Sequence, residues 1–265
     1  MNPDPNRGKV YLVGAGPGNP DLLTRKALSL LQTSDVVLHD DLVTPEILAL
    51  VRASGLINVG KRCGTKQISQ DQINAEMIRF ARAGFIVVRL KGGDPLIFGR
   101  AAEEIAALRA ARIEFEIVPG ITAAAAAAAA ACIPLTDRHS APHLMFTSAS
   151  HCHESDSIRA GAISSKTTLA VYMPGLNYGA IAGDLLAVGL RDSTPCLIVC
   201  CASRSREQIR RTSLGELHKV QPLAPPAVLI VGNVAAQFDA RDKTTDTRDA
   251  ERLLSICIAS QGNAD

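Results

Sequence analysis

Short, β-branched apolar runs recur along the first half of the chain with little polar alternation inside them. Val10 to Val13, Val36 to Leu38, Leu56 to Val59, Phe85 to Leu90 and Phe115 to Val118 fit this description. Runs of this kind predict strands covered on both faces of a parallel sheet. Between them, helices are predicted over 20–32, with Pro20 at the first position, over 69–82, and over 100–111. The second of these opens with the capping-box pattern Ser69-x-x-Gln72 and closes near Gly84. Strand and helix therefore alternate, which predicts an α/β domain over 1–135. Pro134 and the polar stretch from Thr136 to Pro142 interrupt the pattern. A second α/β domain is expected over 136–238, with strands at His143 to Thr147, Thr168 to Met173, Cys196 to Cys201 and Ala227 to Val231. A helix from Asn177 to about Val188 ends at Gly189, and Gln208 to Ser213 is a further strand candidate. The stretch 239–265 is highly charged and predicts a mobile tail.

Composition narrows the partners. The 265 residues are 47% hydrophobic, enough to build a sizeable core. Lysine and arginine number 28 against 26 acidic residues, and a balance of +2 gives no reason to expect nucleic acid or an anionic membrane as partner. Seven cysteines without regular spacing suit a reducing cytoplasm, where most would serve as small buried hydrophobes. The polar, proline-rich start does not read as a signal peptide or membrane anchor. Nine consecutive alanines, Ala123 to Ala131, predict a helix packed tightly on a sheet.

Three loops at predicted strand ends could carry chemistry. Gly14-Ala-Gly-Pro-Gly18 follows the first strand and lets backbone approach a ligand closely. Asn19 stands where a dinucleotide loop would have its third glycine, although Asp40 ends the second strand as such a site requires. Gly92, Gly93 and Asp94 follow the fourth strand, at the carboxyl edge where open parallel sheets bind ligands. Thr122 follows the fifth strand at the head of the alanine helix, where a helix cap is the simplest reading.

Taken together and in order, VGAGPGNPDLLT, DVVLHDDLV, VGKRCG, VVRLKGGDPLIFGR, VPGITAA, IPLTDR and VYMPG resemble the uroporphyrinogen-III C-methyltransferases of the tetrapyrrole methylase superfamily. The likeness covers roughly residues 9 to 235. It implies a homodimer of two-domain α/β subunits that bind S-adenosylmethionine in the cleft between the domains. It implies cofactor contacts at Pro17, Gly92, Gly93, Asp94, Ile97, Thr122, Ala123, Met173 and Ala202. The implied acid/base pair is Asp40, accepting a proton, and Lys61, donating one or steering substrate. A nucleophilic pyrrole carbon would attack the sulfonium methyl and leave S-adenosylhomocysteine, a step that rests on alignment. The implied substrate is a polycarboxylate, for which Arg62, Lys91, Arg100 and Arg138, with Lys61, are the candidate cationic rim.

The expected reaction is two-fold methylation of uroporphyrinogen III, at C2 and C7, to precorrin-2. A later precorrin C-methyltransferase, an NAD-dependent oxidoreductase and a non-catalytic cofactor-binding regulator are the alternatives. With no additional domain before Lys9, the dehydrogenase and chelatase activities that some relatives carry in fusion are not expected. Departures from the family pattern fall on the substrate side: His39 replaces a tyrosine, Ala101 and Ala102 replace glycines, and Asp137 replaces a histidine. Ser148-Ala-Ser150 stands for a Thr-Gly-His, with His151 one place late. His151 and His153, with His139 and His143, match no common zinc spacing, so no metal is expected.

Overall fold

The computed structural model describes residues 8–60, 68–149 and 163–237. Five parallel strands form the first sheet: β1 (Lys9–Gly14), β2 (Val36–His39), β3 (Gly55–Asn58), β4 (Ile86–Lys91) and β5 (Glu114–Val118). Their order is β3-β2-β4-β1-β5, so the strands that precede the three glycine loops are adjacent. The fully buried β2 and the edge strand β3, half of whose residues are exposed, show why the apolar runs lack alternation only in the interior.

Helices α1 (Arg25–Thr33), α2 (Pro45–Leu48), α3 (Gln70–Arg82) and α4 (Ala101–Ala110) connect these strands. The helix expected over 20–32 begins later. Asn19 caps only a short 3-10 turn, and Thr24, in extended backbone, then accepts a hydrogen bond from Ala27 N to start α1. The capping box at Ser69 and Gln72 is formed, with both reciprocal bonds present.

The second sheet contains β6 (His143–Ser148), β7 (Thr167–Tyr172), β8 (Pro195–Cys200), β9 (Gln208–Ser213) and β10 (Ala227–Val231). Its order is β6-β7-β10-β8-β9; β6 pairs parallel with β7 and the other pairings are antiparallel. Helix α6 (Tyr178–Ala187) covers one face, contributing Tyr178, Ala182 and Leu185 to the core there. The other face receives α5 (Ala123–Ala130), whose Ala124, Ala127 and Ala128 pack against Ala170, Leu197, Val199 and Ile230. Methyl side chains bring the helix close to the sheet and lose no rotamer freedom on burial. The alanine helix thus follows a first-sheet strand in the chain but packs on the second sheet. The expected tail over 239–265 lies outside the described residues.

Candidate active site

Parallel pairing puts the carboxyl ends of β4, β1 and β5 side by side, and their loops are stitched together by main-chain groups. Ala15 N donates to Lys91 O at 2.7 Å, and Gly16 and Gly93 exchange bonds of 3.1 and 2.8 Å. Gly120 N donates to Asp94 Oδ2 at 3.0 Å while Leu96 N donates to Oδ1 at 2.8 Å. A Cβ on Gly14 would stand 2.6 Å from Gly120 Cα and 2.7 Å from Gly93 O, and one on Gly120 would run into the Gly93 carbonyl. The three glycine elements are therefore one object, possible only without side chains at the contact.

The second half closes over this edge. At the end of β7, Tyr172 Oη lies 2.6 Å from Thr122 Oγ1 and accepts from Ala124 N at 3.3 Å. Thr122 occupies the cap position of α5, but its hydroxyl makes no cap bond and turns to Tyr172 instead. Burial, foremost, raises the Tyr172 pKa above its ordinary value. The Phe98 ring packs 4.9 Å from that of Tyr172. Met173 follows in left-handed backbone, φ 49°, and keeps 46% of its surface exposed. Ile97, Ala123 and Ala202 are half-buried around the same apolar cluster. From the turn after β8, Arg204 reaches back to the first half and donates to Pro17 O and Leu42 O.

Asp40 stands at the end of β2, half-buried. Its Oδ1 accepts from Leu42 N at 3.0 Å and its Oδ2 from Gly92 N at 3.3 Å, which fixes the carboxylate against the Gly92 loop. His39 is buried beside it, with Nδ1 3.0 Å from Asp40 O.

The cations expected on a rim separate into different environments. Lys91 is only 4% exposed, and its Nζ lies 2.7 Å from Glu104 Oε2. Glu104, on α4, is fully buried and also takes Arg89 Nε at 3.0 Å and Gln70 Nε2 at 3.3 Å. Burial, then the neighbouring Arg89 charge, pull the Lys91 pKa down, against the opposing attraction of Glu104 and Asp40. Lys91 is thus part of the internal support under the Asp40 loop rather than of an open rim. Arg100 is exposed and grips Glu103 with two bonds of 2.7 Å. Arg138 is exposed in a turn organised by Asp137, whose Oδ1 accepts from Ser140 N, Ser140 Oγ and His139 N. Those bonds, the Ser140 main-chain one first, hold the Asp137 pKa below the usual carboxylate range. Lys61 and Arg62 lie outside the described residues, as do His151 and His153. Among the described residues no cluster of three or more metal-ligating side chains is found, and no helix is long and apolar enough to cross a membrane.

Sequence reasoning missed Glu104, Tyr172 and Arg204. A glutamate in the first turn of a helix reads as an ordinary surface residue, and a tyrosine inside a strand reads as core. Arg204 follows no motif.

The sequence profile of the Tetrapyrrole (Corrin/Porphyrin) Methylases matches residues 9–218. The chain belongs to this family. Among methylase relatives, a siroheme synthase of Tolumonas auensis is 44% identical over 236 residues, covering 88% of this chain and 50% of its own length. A siroheme synthase of Nitrosococcus oceani is 43% identical over 239 residues, 88% of this chain and 51% of its own. The methylase chain thus spans about half the length of the curated relatives it matches. A uroporphyrin-III C-methyltransferase from Thermus thermophilus superposes with a TM-score of 0.74 at 38% identity, over 87% of this chain and 94% of that one. A structure of the Thermus thermophilus enzyme complexed with S-adenyl homocysteine gives a TM-score of 0.73 at 37% identity, over 87% and 100%. Membership of the methylase family removes the support for a dinucleotide reading of the Gly14 to Gly18 loop.

Proposed function

We propose that this chain is an S-adenosylmethionine-dependent C-methyltransferase that converts uroporphyrinogen III to precorrin-2, by way of precorrin-1. The observation that carries the reading is the convergence just described: three glycine loops locked together at the carboxyl edge of the parallel sheet, met from the other half by Tyr172, bonded to Thr122, and by Arg204, bonded to Pro17. The siroheme synthases and the uroporphyrin-III C-methyltransferase to which the chain is similar support the same assignment. A cobalt precorrin-4 methyltransferase superposes equally well, with a TM-score of 0.74, but at 29% identity, which favours the uroporphyrinogen reading.

The residues present fit the cofactor. Main-chain groups beside Gly92, Gly93 and Thr122 offer hydrogen bonds, Ile97, Ala123 and Ala202 offer apolar surface, and Asp94 offers a carboxylate near which an ammonium group can sit. When bound, S-adenosylmethionine supplies an electrophilic methyl group. The Asp94 carboxylate, held by Leu96 N and Gly120 N, keeps the second and third loops in register, so both contribute to one pocket. Asp40 accepts the proton lost from the pyrrole after its carbon has been methylated. Two main-chain donors orient its oxygens while leaving lone pairs free for that transfer. Lys61, Arg62, Arg100 and Arg138 are proposed to meet substrate carboxylates, and Lys61 to donate a proton or steer. The active form is proposed to be a homodimer in the cytoplasm, the first part checked by light scattering after gel filtration.

Incubation with uroporphyrinogen III and S-adenosylmethionine should yield a product heavier by two methyl groups, and an unchanged substrate mass would sink the assignment. Calorimetric titration should show binding of S-adenosylhomocysteine and not of NAD. Asp40→Asn should slow turnover by about 100-fold or more, the usual contribution of a positioned base. Its S-adenosylhomocysteine affinity should be unchanged, because the amide oxygen can keep one main-chain bond. Normal turnover in that variant would remove Asp40 from the chemistry.

A further inference from the structure

The turn after β8 is built on two non-glycine residues in left-handed backbone, Cys201 at φ 51° and Ser203 at φ 67°. It is closed by Arg204 N to Cys201 O at 3.0 Å and by Ser203 N to Glu207 Oε2 at 2.8 Å. Backbone of this kind costs free energy and persists where surrounding contacts require it. Here it carries Arg204 onto the first half of the chain. Nε donates to Pro17 O at 2.8 Å, and Nη2 donates to Leu42 O at 3.0 Å.

The two acceptors belong to different parts of the proposed site. Pro17 lies in the loop after β1, on the cofactor side. Leu42 closes the turn after β2, where its own N–H holds Asp40 Oδ1 at 3.0 Å. Gly18 makes the approach possible, since a Cβ there would stand 2.5 Å from Arg204 Nε. Its carbonyl is in turn fixed by Thr44 Oγ1 at 2.7 Å. A guanidinium is planar, and adjacent N–H groups along one edge point in a fixed direction; an ammonium is a point donor without that geometry. One guanidinium bonded to two carbonyls therefore sets their separation. Ala202, two residues earlier in the same turn, is half-buried against the apolar core that α5 forms on the second sheet.

We propose that Arg204 is a positioning residue: a planar strap from the second half that fixes the cofactor loop and the Asp40 turn at one spacing. The inference rests on the methyltransferase reading above. Seating a cofactor between Pro17 and Ala202 then also seats Asp40, because both contacts run through the same side chain.

The full-length chain and its Arg204→Met and Arg204→Lys variants should be compared by calorimetric titration with S-adenosylhomocysteine and by steady-state turnover of uroporphyrinogen III at 25 °C. Arg204→Met should bind S-adenosylhomocysteine about 10-fold more weakly, as expected for loss of a charge-assisted bond to the loop, and should lose at least about 10-fold in kcat. Arg204→Lys keeps the charge and one bond. It should recover affinity to within about 3-fold while kcat stays depressed, a split that simple loss of stability does not produce. Lysine also keeps the test open if the methionine variant fails to fold. Wild-type affinity and kcat in Arg204→Lys, with only a lower melting temperature, would overturn the proposal. A wild-type chain that binds no S-adenosylhomocysteine would instead overturn the methyltransferase reading and this inference with it.

Discussion

Replacing Glu104 with alanine removes the only carboxylate described in contact with two buried cations. Arg89 and Lys91 are 5% and 4% exposed and bond to its two oxygens at 3.0 and 2.7 Å. The surrounding groups are the Leu38 and Leu90 carbonyls, which Arg89 Nη1 reaches at 3.4 and 3.2 Å, and the Gln70 amide. None of these carries a charge, and the remaining carboxylate, Asp40, attracts Lys91 less strongly than Glu104 does. Breaking a buried ion pair from one side costs about 3–5 kcal/mol, because the remaining charge stays desolvated. Glu104→Ala should lose an amount in that range in urea denaturation at pH 7. Lys91→Met added to it removes one stranded cation and should return more than about 1 kcal/mol.

The pH response gives an independent reading. Lys91 has a folded pKa below its ordinary 10.5, so between the folded and unfolded values the unfolded chain binds more protons. Its contribution therefore makes stability rise with pH through that window, up to about pH 10.5. Glu104 acts to raise the Lys91 pKa. Without Glu104 the window opens at lower pH, so the rise of stability with pH below about pH 10.5 should begin earlier in the variant than in the wild type. A variant within about 1 kcal/mol of wild type, with the same pH slope, would refute the account of this network.

Two further outcomes are expected. Gly120→Ala places a Cβ against the Gly93 carbonyl and 2.8 Å from Gly14 Cα, so backbone must move; S-adenosylhomocysteine binding should fall at least about 10-fold, and an unchanged titration would show that the loops are not locked together. Tyr172→Phe strands the Thr122 hydroxyl and Ala124 N–H, and should cost about 1–2 kcal/mol in chemical denaturation, with a near-zero change counting against the interdomain bond.

The alternation of strand and helix was readable because a sheet covered on both faces leaves uninterrupted apolar runs, as β2 does with all its residues buried. The largest displaced boundary, at α1, turns on Thr24 capping a helix that Pro20 suggests would start earlier, and the one-turn α2 carries no signal long enough to predict. Strand order was not readable, since it depends on which strands pair across the chain; with β4 beside β1 and β1 beside β5, the loops come together. The glycine elements could be found by composition, but their mutual contact required that order. Lys91 illustrates the opposite limit. A lysine beside a glycine loop reads as a ligand contact, yet its partner Glu104 lies in the next helix at a spacing no motif announces. Tyr172 and Arg204 act between halves of the chain, through contacts 50 and 187 residues apart in sequence, where local pattern carries no signal.

The passage of the chain from one sheet to the other is shorter than the alanine helix suggests. Gly120 is tied to the first half through Asp94 and its contact with Gly14, and Thr122 is tied to the second through Tyr172. Only Ile121 separates them. Along the backbone, any change in the spacing of the two anchors falls on that residue, whose neighbouring Cα atoms lie ~3.8 Å away on either side.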